Sequence, residues 1–184
     1  MEVTVIYIVY KELSLNDLHL DLLLQFNRYQ EVKRCWRKEN DKWVLKDISF
    51  IENWDKELLN EIVTEDLTNC IKSGGFVWGA FNSNDDMIAW ASLLSEFFGS
   101  SKQYLQLMQI HVSYEYRGKG IGKKLFQMCS QKAKQLGAKK LYISAHSSEE
   151  THLFYIGLGC TDATEINVKI AEYEPYDRQM EFTL

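Results

Sequence analysis

Residues 117–122 read Arg117-Gly118-Lys119-Gly120-Ile121-Gly122, between an apolar extended stretch at 104–112 and an amphipathic segment at 121–136. Inside a helix, each of these glycines would cost about 1 kcal/mol relative to alanine. Helix propensity therefore does not explain them. The spacing predicts a strand-to-helix turn whose backbone is left bare so that a ligand can approach it.

The predicted turn has the chemistry of an anion site. The first N–H groups of a helix have no acceptor within the helix, and they lie at the positive end of the peptide dipole. Arg117, Lys119, Lys123 and Lys124 add positive charge around the turn. We therefore expect a diphosphate as the ligand of this loop.

Two better-known phosphate loops do not fit the spacing. A P-loop places four residues between its glycines and continues with Lys and Ser or Thr, whereas Gly118 and Gly122 enclose three residues and Lys123-Lys124 follow. The dinucleotide fingerprint G-x-G-x-x-G requires its third glycine one residue later. A tight surface turn with a solvated basic rim is the alternative that involves no ligand.

The stretch from Val112 to Gly122 resembles the acetyl-coenzyme A pyrophosphate loop of the GNAT superfamily of N-acetyltransferases. A second stretch resembles the other half of the coenzyme A site in that family: Ser148-x-x-Thr151-x-x-Phe154-Tyr155-x-x-Leu158-Gly159-Cys160. Together the matches cover about residues 76–160, in the expected order. The resemblance implies an α/β fold with a central mixed, mainly antiparallel sheet flanked by helices on both faces.

The domain organisation follows from length and resemblance. A chain of 184 residues can bury about 70% of its unfolded surface around one core, which favours a single domain. We expect residues 1–184 to form one N-acetyltransferase domain. Within it, residues 1–75 are expected to form the variable acceptor-side part, 76–160 the acetyl-coenzyme A-binding core, and 161–184 the C-terminal strands.

The resemblance also implies the cofactor contacts. In the family, the strand before the loop pairs with the pantetheine amides, as an added strand would. Ser148 stands where the family usually has Asn. The expected coenzyme A contacts are Ile110, His111, Val112, Arg117, Gly118, Lys119, Gly120, Ile121, Gly122, Lys123, Ser148 and Tyr155.

Two proton transfers accompany acetylation of an amine. Tyr155 matches the family tyrosine that donates a proton to the departing thiolate, and packing beside Phe154 is its alternative role. An ammonium group has no lone pair, so a base must also act. Glu96, after the strand at 87–94, and His111 are the candidates, although Glu96 also fits a solvated loop acid and His111 a core residue. Glu172 and Glu174 come next.

The implied activity is transfer of an acetyl group from acetyl-coenzyme A to a primary amine, by direct attack in a ternary complex. The acceptor is a small-molecule or peptide amine, no metal is needed, and the protein is expected to be a monomer or homodimer. The alternative is a non-catalytic module of the same fold that binds coenzyme A or acyl-coenzyme A as a sensor or docking surface.

Composition narrows the partners and the location. The net charge of −5 argues against a nucleic-acid partner, because such binding depends on neutralising phosphates. No apolar run reaches the ~20 residues of a membrane span, and the start of the sequence lacks the basic region of a signal peptide, so we expect a cytoplasmic protein. The four cysteines contain no C-x-x-C pair, which predicts free buried thiols. The histidines other than His111 are expected at the surface or in helix caps.

Hydrophobic periodicity predicts the remaining elements. They are a strand at 3–10, a helix from Ser14 to Phe26, a loop or short strand at 27–53, a helix at 55–71, a hairpin of 76–81 and 87–94, a strand at 141–145, a capped helix ending at 157–159, and strands at 160–171 and 179–184. The apolar residues of the stretch 104–112 fall at both odd and even positions, so they do not all lie on one face of a strand. Either both of its faces are buried or a bulge lies near 107–108, and the resemblance favours the bulge.

Overall fold

The computed structural model describes residues 7–184, so the predicted strand at 3–10 lies partly outside the described residues. In chain order the strands are β1 (Val9–Glu12), β2 (Gln30–Glu39), β3 (Lys42–Glu52), β4 (Phe76–Phe81), β5 (Met87–Leu93), β6 (Tyr104–Val112), β7 (Lys140–Ala145), β8 (Thr161–Asp162) and β9 (Arg178–Thr183). The helices are α1 (Lys56–Glu61), α2 (Thr68–Lys72), α3 (Ile121–Gln135), α4 (Glu149–Gly157) and α5 (Val168–Tyr173).

The chain divides into two units by its internal contacts. The first unit comprises the described residues up to Tyr29, together with Asn53–Ser95 and Gln109–Cys129. The second unit comprises Gln30–Glu52, Glu96–Met108 and Ser130–Leu184. Strand β6 contributes residues to both.

The strand order in the first unit is β1-β4-β5-β6, and the β1–β4 and β4–β5 pairings are antiparallel. β1 pairs with β4 from Val9↔Phe81 to Glu12↔Trp78, and β4 pairs with β5 from Phe76↔Leu93 onward. The hairpin predicted at 76–81 and 87–94 is therefore confirmed. The whole of β5 is buried, because this apolar run has neighbours on both faces.

One nearly continuous helical segment covers these strands within the first unit. It begins at α1, where the Asp55 side chain caps the helix by accepting a hydrogen bond from the Leu58 N–H. A π-helical turn, Ile62–Leu67, connects α1 to α2. The helix predicted at 55–71 is confirmed, with a change of helical type that periodicity did not predict. Its apolar face packs in the core around Val77, Met87 and Trp90.

The predicted helix from Ser14 to Phe26 is wrong. The capping box of Ser14 and Asp17 forms, but the helix that it starts is only the 3-10 turn Leu15–Asp17. Asp21 has a φ of 68°, a left-handed conformation that an α-helix cannot contain. The leucine spacing instead reflects burial, since Leu23 and Phe26 both reach the core.

The second unit has strands in the order β6-β7-β9-β8. The β6–β7 pairing is parallel, from Tyr104↔Lys140 to Gln106↔Tyr142, whereas β7–β9 and β8–β9 are antiparallel. Tyr104 and Leu105 point to opposite faces of β6 and are both fully buried. Burial of both faces therefore explains why apolar residues occupy both odd and even positions in this half of β6. The bulge near 107–108 stays a prediction.

The loop or short strand predicted at 27–53 is wrong, because the second unit contains a long hairpin there. β2 and β3 pair from Gln30↔Glu52 to Glu39↔Lys42. Asn40 and Asp41 form the turn with φ values of 47° and 61°. Two consecutive positive φ angles are typical of the tightest hairpin turns, and Asn and Asp tolerate them best.

The end of the chain is only partly as predicted. Residues 160–171 form the two-residue β8 and part of α5 rather than one strand, whereas β9 confirms the strand predicted at 179–184. In β9 the Glu181 carboxylate accepts hydrogen bonds from the Tyr104 hydroxyl, from Lys140 Nζ at 2.6 Å and from the Thr164 N–H at 3.0 Å. Although burial raises its pKa, these donors hold the pKa of Glu181 at about 2.

Candidate active site

The glycine loop lies in the first unit, between β6 and α3, as the sequence predicts. A 3-10 turn at Tyr114–Tyr116 follows β6, and α3 begins at Ile121. Gly118 and Gly120 have φ values of 72° and 79°, and a Cβ built on either one would meet no atom within 4 Å. The loop backbone is therefore exposed on the side where side chains would otherwise project.

The start of α3 presents unpaired backbone donors. The Lys124 N–H donates to the Gly120 carbonyl at 3.0 Å, so Gly120 is the residue before the first helical turn. The N–H groups of Ile121, Gly122 and Lys123 then have no acceptor within the helix. Lys119 and Lys123 are both exposed beside them. This arrangement has the geometry and the charge to bind a phosphate group.

Arg117 has a different position from the one its place in the motif implied. Its guanidinium donates to three backbone carbonyls: Val112 at 2.9 Å, Tyr29 at 2.8 Å and Arg28 at 3.2 Å. The structure therefore has Arg117 tying the loop to residues 28 and 29, whereas the sequence suggested a position on the rim.

The other predicted contacts of the first unit lie at the end of β6. Ile110, His111 and Val112 are all partly buried. β6 pairs in parallel with β7 from Tyr104↔Lys140 to Gln106↔Tyr142, and β6 continues to Val112.

The His111 ring lies against two indoles. Its centroid is 4.9 Å from that of Trp54 and 5.0 Å from that of Trp90. The Arg28 guanidinium lies 4.9 Å from the Trp54 ring centroid, and Phe26 contacts both indoles. We name this group the His111 cluster: Phe26, Arg28, Trp54, Trp90 and His111.

A hydrogen-bonded chain reaches the cluster from the π-helical turn. Trp90 Nε1 donates to Gln109 Oε1 at 3.1 Å, and Gln109 Nε2 donates to Asp66 Oδ2 at 2.5 Å. Sequence reasoning missed Trp90, Gln109 and Asp66. A polar residue two positions before His111 on the same strand was the available signal for Gln109, and no local signal marks Asp66.

In the second unit, Ser148 caps α4. Its hydroxyl accepts a hydrogen bond from the Thr151 N–H at 3.3 Å, and it is fully buried. Phe154 and Tyr155 follow on the same helix, and their ring centroids lie 5.1 Å apart. Tyr155 is 5% exposed. The capped helix predicted to carry Tyr155 is confirmed, and Ser148 is its cap.

The carboxylate candidates lie on exposed segments. Glu96 is exposed in the loop after β5, and Glu172 and Glu174 are exposed around the end of α5.

Asp177, which was not among the base candidates, differs from these exposed carboxylates. Burial and the charge of Glu174 raise its pKa to about 6, against the effect of a hydrogen bond from Ser144.

His152 was expected at the surface or in a cap, and this is wrong. It is fully buried in the second unit, with ring centroids 5.9 Å from those of Trp36 and Trp43. Among residues 7–184, neither ring nitrogen has a hydrogen-bond partner. Burial, and then the charges of Arg178 and His146, lower the pKa of His152 to about 4. We name this group the His152 cluster: Trp36, Trp43 and His152.

Other predicted features concern thiols, metals and membranes. All four cysteines are buried and free, as predicted. Residues 7–184 contain no group of three or more His, Cys, Asp or Glu side chains that could hold a metal ion. Over the same residues, no helix is both long and apolar enough to cross a bilayer.

Comparison with known proteins identifies the family. The model of the Acetyltransferase (GNAT) family matches residues 29–159. This match includes the glycine loop and α4, and it covers more than half of the chain. The protein therefore belongs to the GNAT family of acetyltransferases, and the predicted enzyme class, acyltransferase, is confirmed.

Several solved structures share the fold. Nourseothricin acetyltransferase aligns with a TM-score of 0.67 at 14% identity, over 96% of this chain and 98% of that one. An acetyltransferase of Bacillus anthracis strain Ames, assigned to streptothricin and complexed with acetyl coenzyme A, gives 0.68 at 16%, over 97% and 99%. PaiA N-acetyltransferase of Thermoplasma acidophilum, complexed with coenzyme A, gives 0.59 at 17%, over 97% and 99%. No curated protein matches this chain in sequence. The predicted fold class, α/β with a large mixed sheet and helices, is confirmed.

Proposed function

We propose that this acetyltransferase moves the acetyl group of acetyl-coenzyme A to a primary amine by direct attack in a ternary complex. The observation that carries the proposal is the bare glycine loop at the start of α3. Family membership supports acetyl transfer in general, and two of the structural neighbours bind coenzyme A or its acetyl form. The choice of an amine acceptor and of direct attack belongs to the proposal.

Cofactor binding rests on the first unit. The N–H groups that begin α3 hold the pyrophosphate, with Lys119 and Lys123 neutralising part of its charge. The backbone of Ile110, His111 and Val112 pairs with the pantetheine amides. Arg117 keeps the loop in place through the three carbonyls that accept from it. The hydroxyl of Ser148 caps α4, and in this proposal it also contacts the cofactor.

The chemistry needs one base and one acid. His111 removes a proton from the acceptor ammonium, which frees the nitrogen lone pair to attack the thioester carbonyl carbon. The carbon–sulfur bond then breaks, and the Tyr155 hydroxyl donates a proton to the departing thiolate. An amide and free coenzyme A form, and one proton is released to water overall. Glu96 is the other base considered, and its exposure is the reason that we prefer His111.

A matched pair of glycine variants tests the cofactor loop. Gly120→Ala places a methyl group where the phosphates would approach, so the KM for acetyl-coenzyme A should rise about tenfold. Gly137 ends α3 with a φ of 97° and, like Gly120, has open space around a Cβ. Gly137→Ala therefore imposes a similar backbone strain away from the loop. An equal KM in the two variants would contradict the assignment of the loop.

A panel of amine acceptors tests the reaction itself. Acetyl-coenzyme A is incubated with small amines, amino acids and peptides, and released thiol and acetylated product are both quantified. Thiol release that depends on an amine supports the proposal. Binding of acetyl-coenzyme A without turnover on any acceptor would favour the sensor or docking module. A cytoplasmic location and a monomeric or homodimeric state stay predictions.

A further inference from the structure

The Asp66–Gln109–Trp90 chain has one possible arrangement of hydrogen bonds. Side-chain amides are often ambiguous because their oxygen and nitrogen look alike. Here Gln109 lies between a carboxylate, which only accepts, and an indole N–H, which only donates. Its nitrogen must therefore face Asp66 and its oxygen must face Trp90.

The hydrogen-bonded chain ends at Trp90, whose indole packs against the His111 ring. Trp90 is fully buried, so the hydrogen bond from its Nε1 to Gln109 fixes the plane of an indole that has little other freedom. The same indole has its centroid 5.0 Å from that of His111. Gln109 and His111 are two residues apart on β6, so their side chains point to the same face of the strand.

The local backbone explains how Asp66 reaches this position. Asp66 belongs to the π-helical turn, which is wider than an α-helical one and interrupts the path from α1 to α2. The Thr68 hydroxyl bonds to the Val63 carbonyl at 2.8 Å and supports the altered turn. Single π-helical turns occur frequently at functional sites.

We propose that Asp66 is a positioning residue for the reaction: through Gln109 it holds the Trp90 indole against His111, and this sets the orientation of the imidazole that removes the proton from the acceptor. The inference rests on the proposed role of His111. It adds a residue that lies on a helical segment remote in sequence from the family motifs and that acts through Gln109.

The first experiment measures kcat and KM for four proteins: wild type, Asp66→Asn, His111→Phe and the double variant. Asp66→Asn replaces a charge-assisted hydrogen bond by a weaker neutral one and adds a competing donor, so the Trp90 indole is held less firmly. It should lower kcat about tenfold and leave the KM for acetyl-coenzyme A within about twofold, because misorientation affects the chemical step. In the His111→Phe background the same change should have no further effect. Additive losses in the double variant would overturn the proposal, since Asp66 would then act independently of His111.

A compensating variant separates this role from general stability. Gln109→Glu alone sets two carboxylates against each other and should also lower kcat. Combined with Asp66→Asn it reverses the polarity of the pair: the new amide donates to the new carboxylate, which still accepts from Trp90. The kcat of the Asp66→Asn/Gln109→Glu double variant should recover to within about threefold of the wild-type value. Glu65→Gln, an exposed neighbour on the same turn, is the control and should leave both constants unchanged.

Nuclear magnetic resonance tests the chain without relying on turnover. In Asp66→Asn, the Trp90 Nε1–H signal and the His111 ring signals should both shift, and in Glu65→Gln neither should. Unchanged His111 signals would overturn the inference even if the enzyme were inactive on every amine tested. Shifted signals in a protein that transfers no acetyl group would contradict the proposed reaction and retain the structural link.

Discussion

Two histidines of this chain each lie against two tryptophans, one in each unit. His111 is partly buried between Trp54 and Trp90, while His152 is fully buried between Trp36 and Trp43. Similar aromatic neighbours thus surround rings with different access to a substrate. The indole environment alone does not make a histidine catalytic, and exposure together with orienting hydrogen bonds distinguishes the two.

The two clusters also differ in whether their buried polar atoms have hydrogen-bond partners. In the His111 cluster, Trp90 Nε1 is bonded to Gln109, which Asp66 holds in turn. In the His152 cluster, neither the ring nitrogens nor Trp36 Nε1 has a partner among the described residues. Burial without a partner costs free energy and favours the neutral ring. The first arrangement fits a group that handles protons, and the second fits a group that stays neutral.

The largest expected effect is the loss of chemistry when His111 is replaced. His111→Phe keeps an aromatic ring between the two indoles but removes the proposed base, so kcat should fall about 1,000-fold. The matched variant His152→Phe should keep kcat within about threefold. Steady-state thiol release, with both proteins checked for folding by circular dichroism, decides this. A large loss in His152→Phe alone would reverse the assignment of the two rings.

The next effect is on the pH dependence of stability. His152 has a pKa of about 4 when folded and about 6.5 when unfolded, so the unfolded state binds more protons between these values. The stability that its neutral form contributes is present above pH 6.5 and is lost as the pH falls towards 4. Between pH 6.5 and 4.5, wild type should lose about 2–3 kcal/mol relative to His152→Phe.

This measurement must be a difference between two proteins, because another group acts in the opposite direction. The Asp177 pKa is raised to about 6, so its contribution to stability increases as the pH falls from 6 towards 3.8. Asp177 is present in both proteins and cancels in the difference. Glu181, with a pKa of about 2, changes mainly below pH 4.5. A free-energy difference that does not vary with pH in urea titrations would show that His152 can charge where it lies.

Replacement of Tyr155 should have an intermediate effect. Tyr155 lies one helical turn after His152, so it tests whether the second unit contributes to the chemistry through this residue. A phenol with a pKa near 10 is only a weak proton donor to a thiolate whose thiol has a pKa near 8.5. In Tyr155→Phe, water can therefore supply the proton that the tyrosine hydroxyl would have donated. We expect kcat to fall about tenfold at pH 7, and less at pH 9.5, where the thiolate needs no proton. An unchanged kcat at pH 7 would leave Tyr155 with a packing role.

The regions that the sequence predicted correctly are those with local signals. Apolar runs predicted β4, β5 and β7, helical spacing that ends at Gly137 predicted α3, and the glycine spacing predicted the loop between β6 and α3. The hairpin of β2 and β3 was missed because its strands carry charged residues among the apolar ones. Its Asn40-Asp41 turn was the available signal.

The wrong predictions share a physical cause. Leucine spacing at 14–26 implied a helix, but Asp21 adopts a positive φ, and Leu23 and Phe26 are buried by contacts that are distant in sequence. His152 was assigned to the surface because nothing near it in α4 shows that Trp36 and Trp43 cover it. The Asp66–Gln109–Trp90 chain likewise joins three elements, and no single window of sequence contains it.

The smallest expected effect compares the two indole N–H groups. Trp90→Phe removes the N–H from which Gln109 accepts a hydrogen bond and leaves a partly buried oxygen without that donor, whereas Trp36→Phe removes a donor with no partner among the described residues. Both changes also remove part of a packed ring. Trp90→Phe should therefore lower the free energy of unfolding by about 1 kcal/mol more than Trp36→Phe. Urea denaturation of the two variants at pH 7.5, where His152 is neutral, measures the difference. Equal losses would mean that an ordered water bonds to Trp36 Nε1, and the His152 cluster would then be a hydrated polar site instead of a dry one.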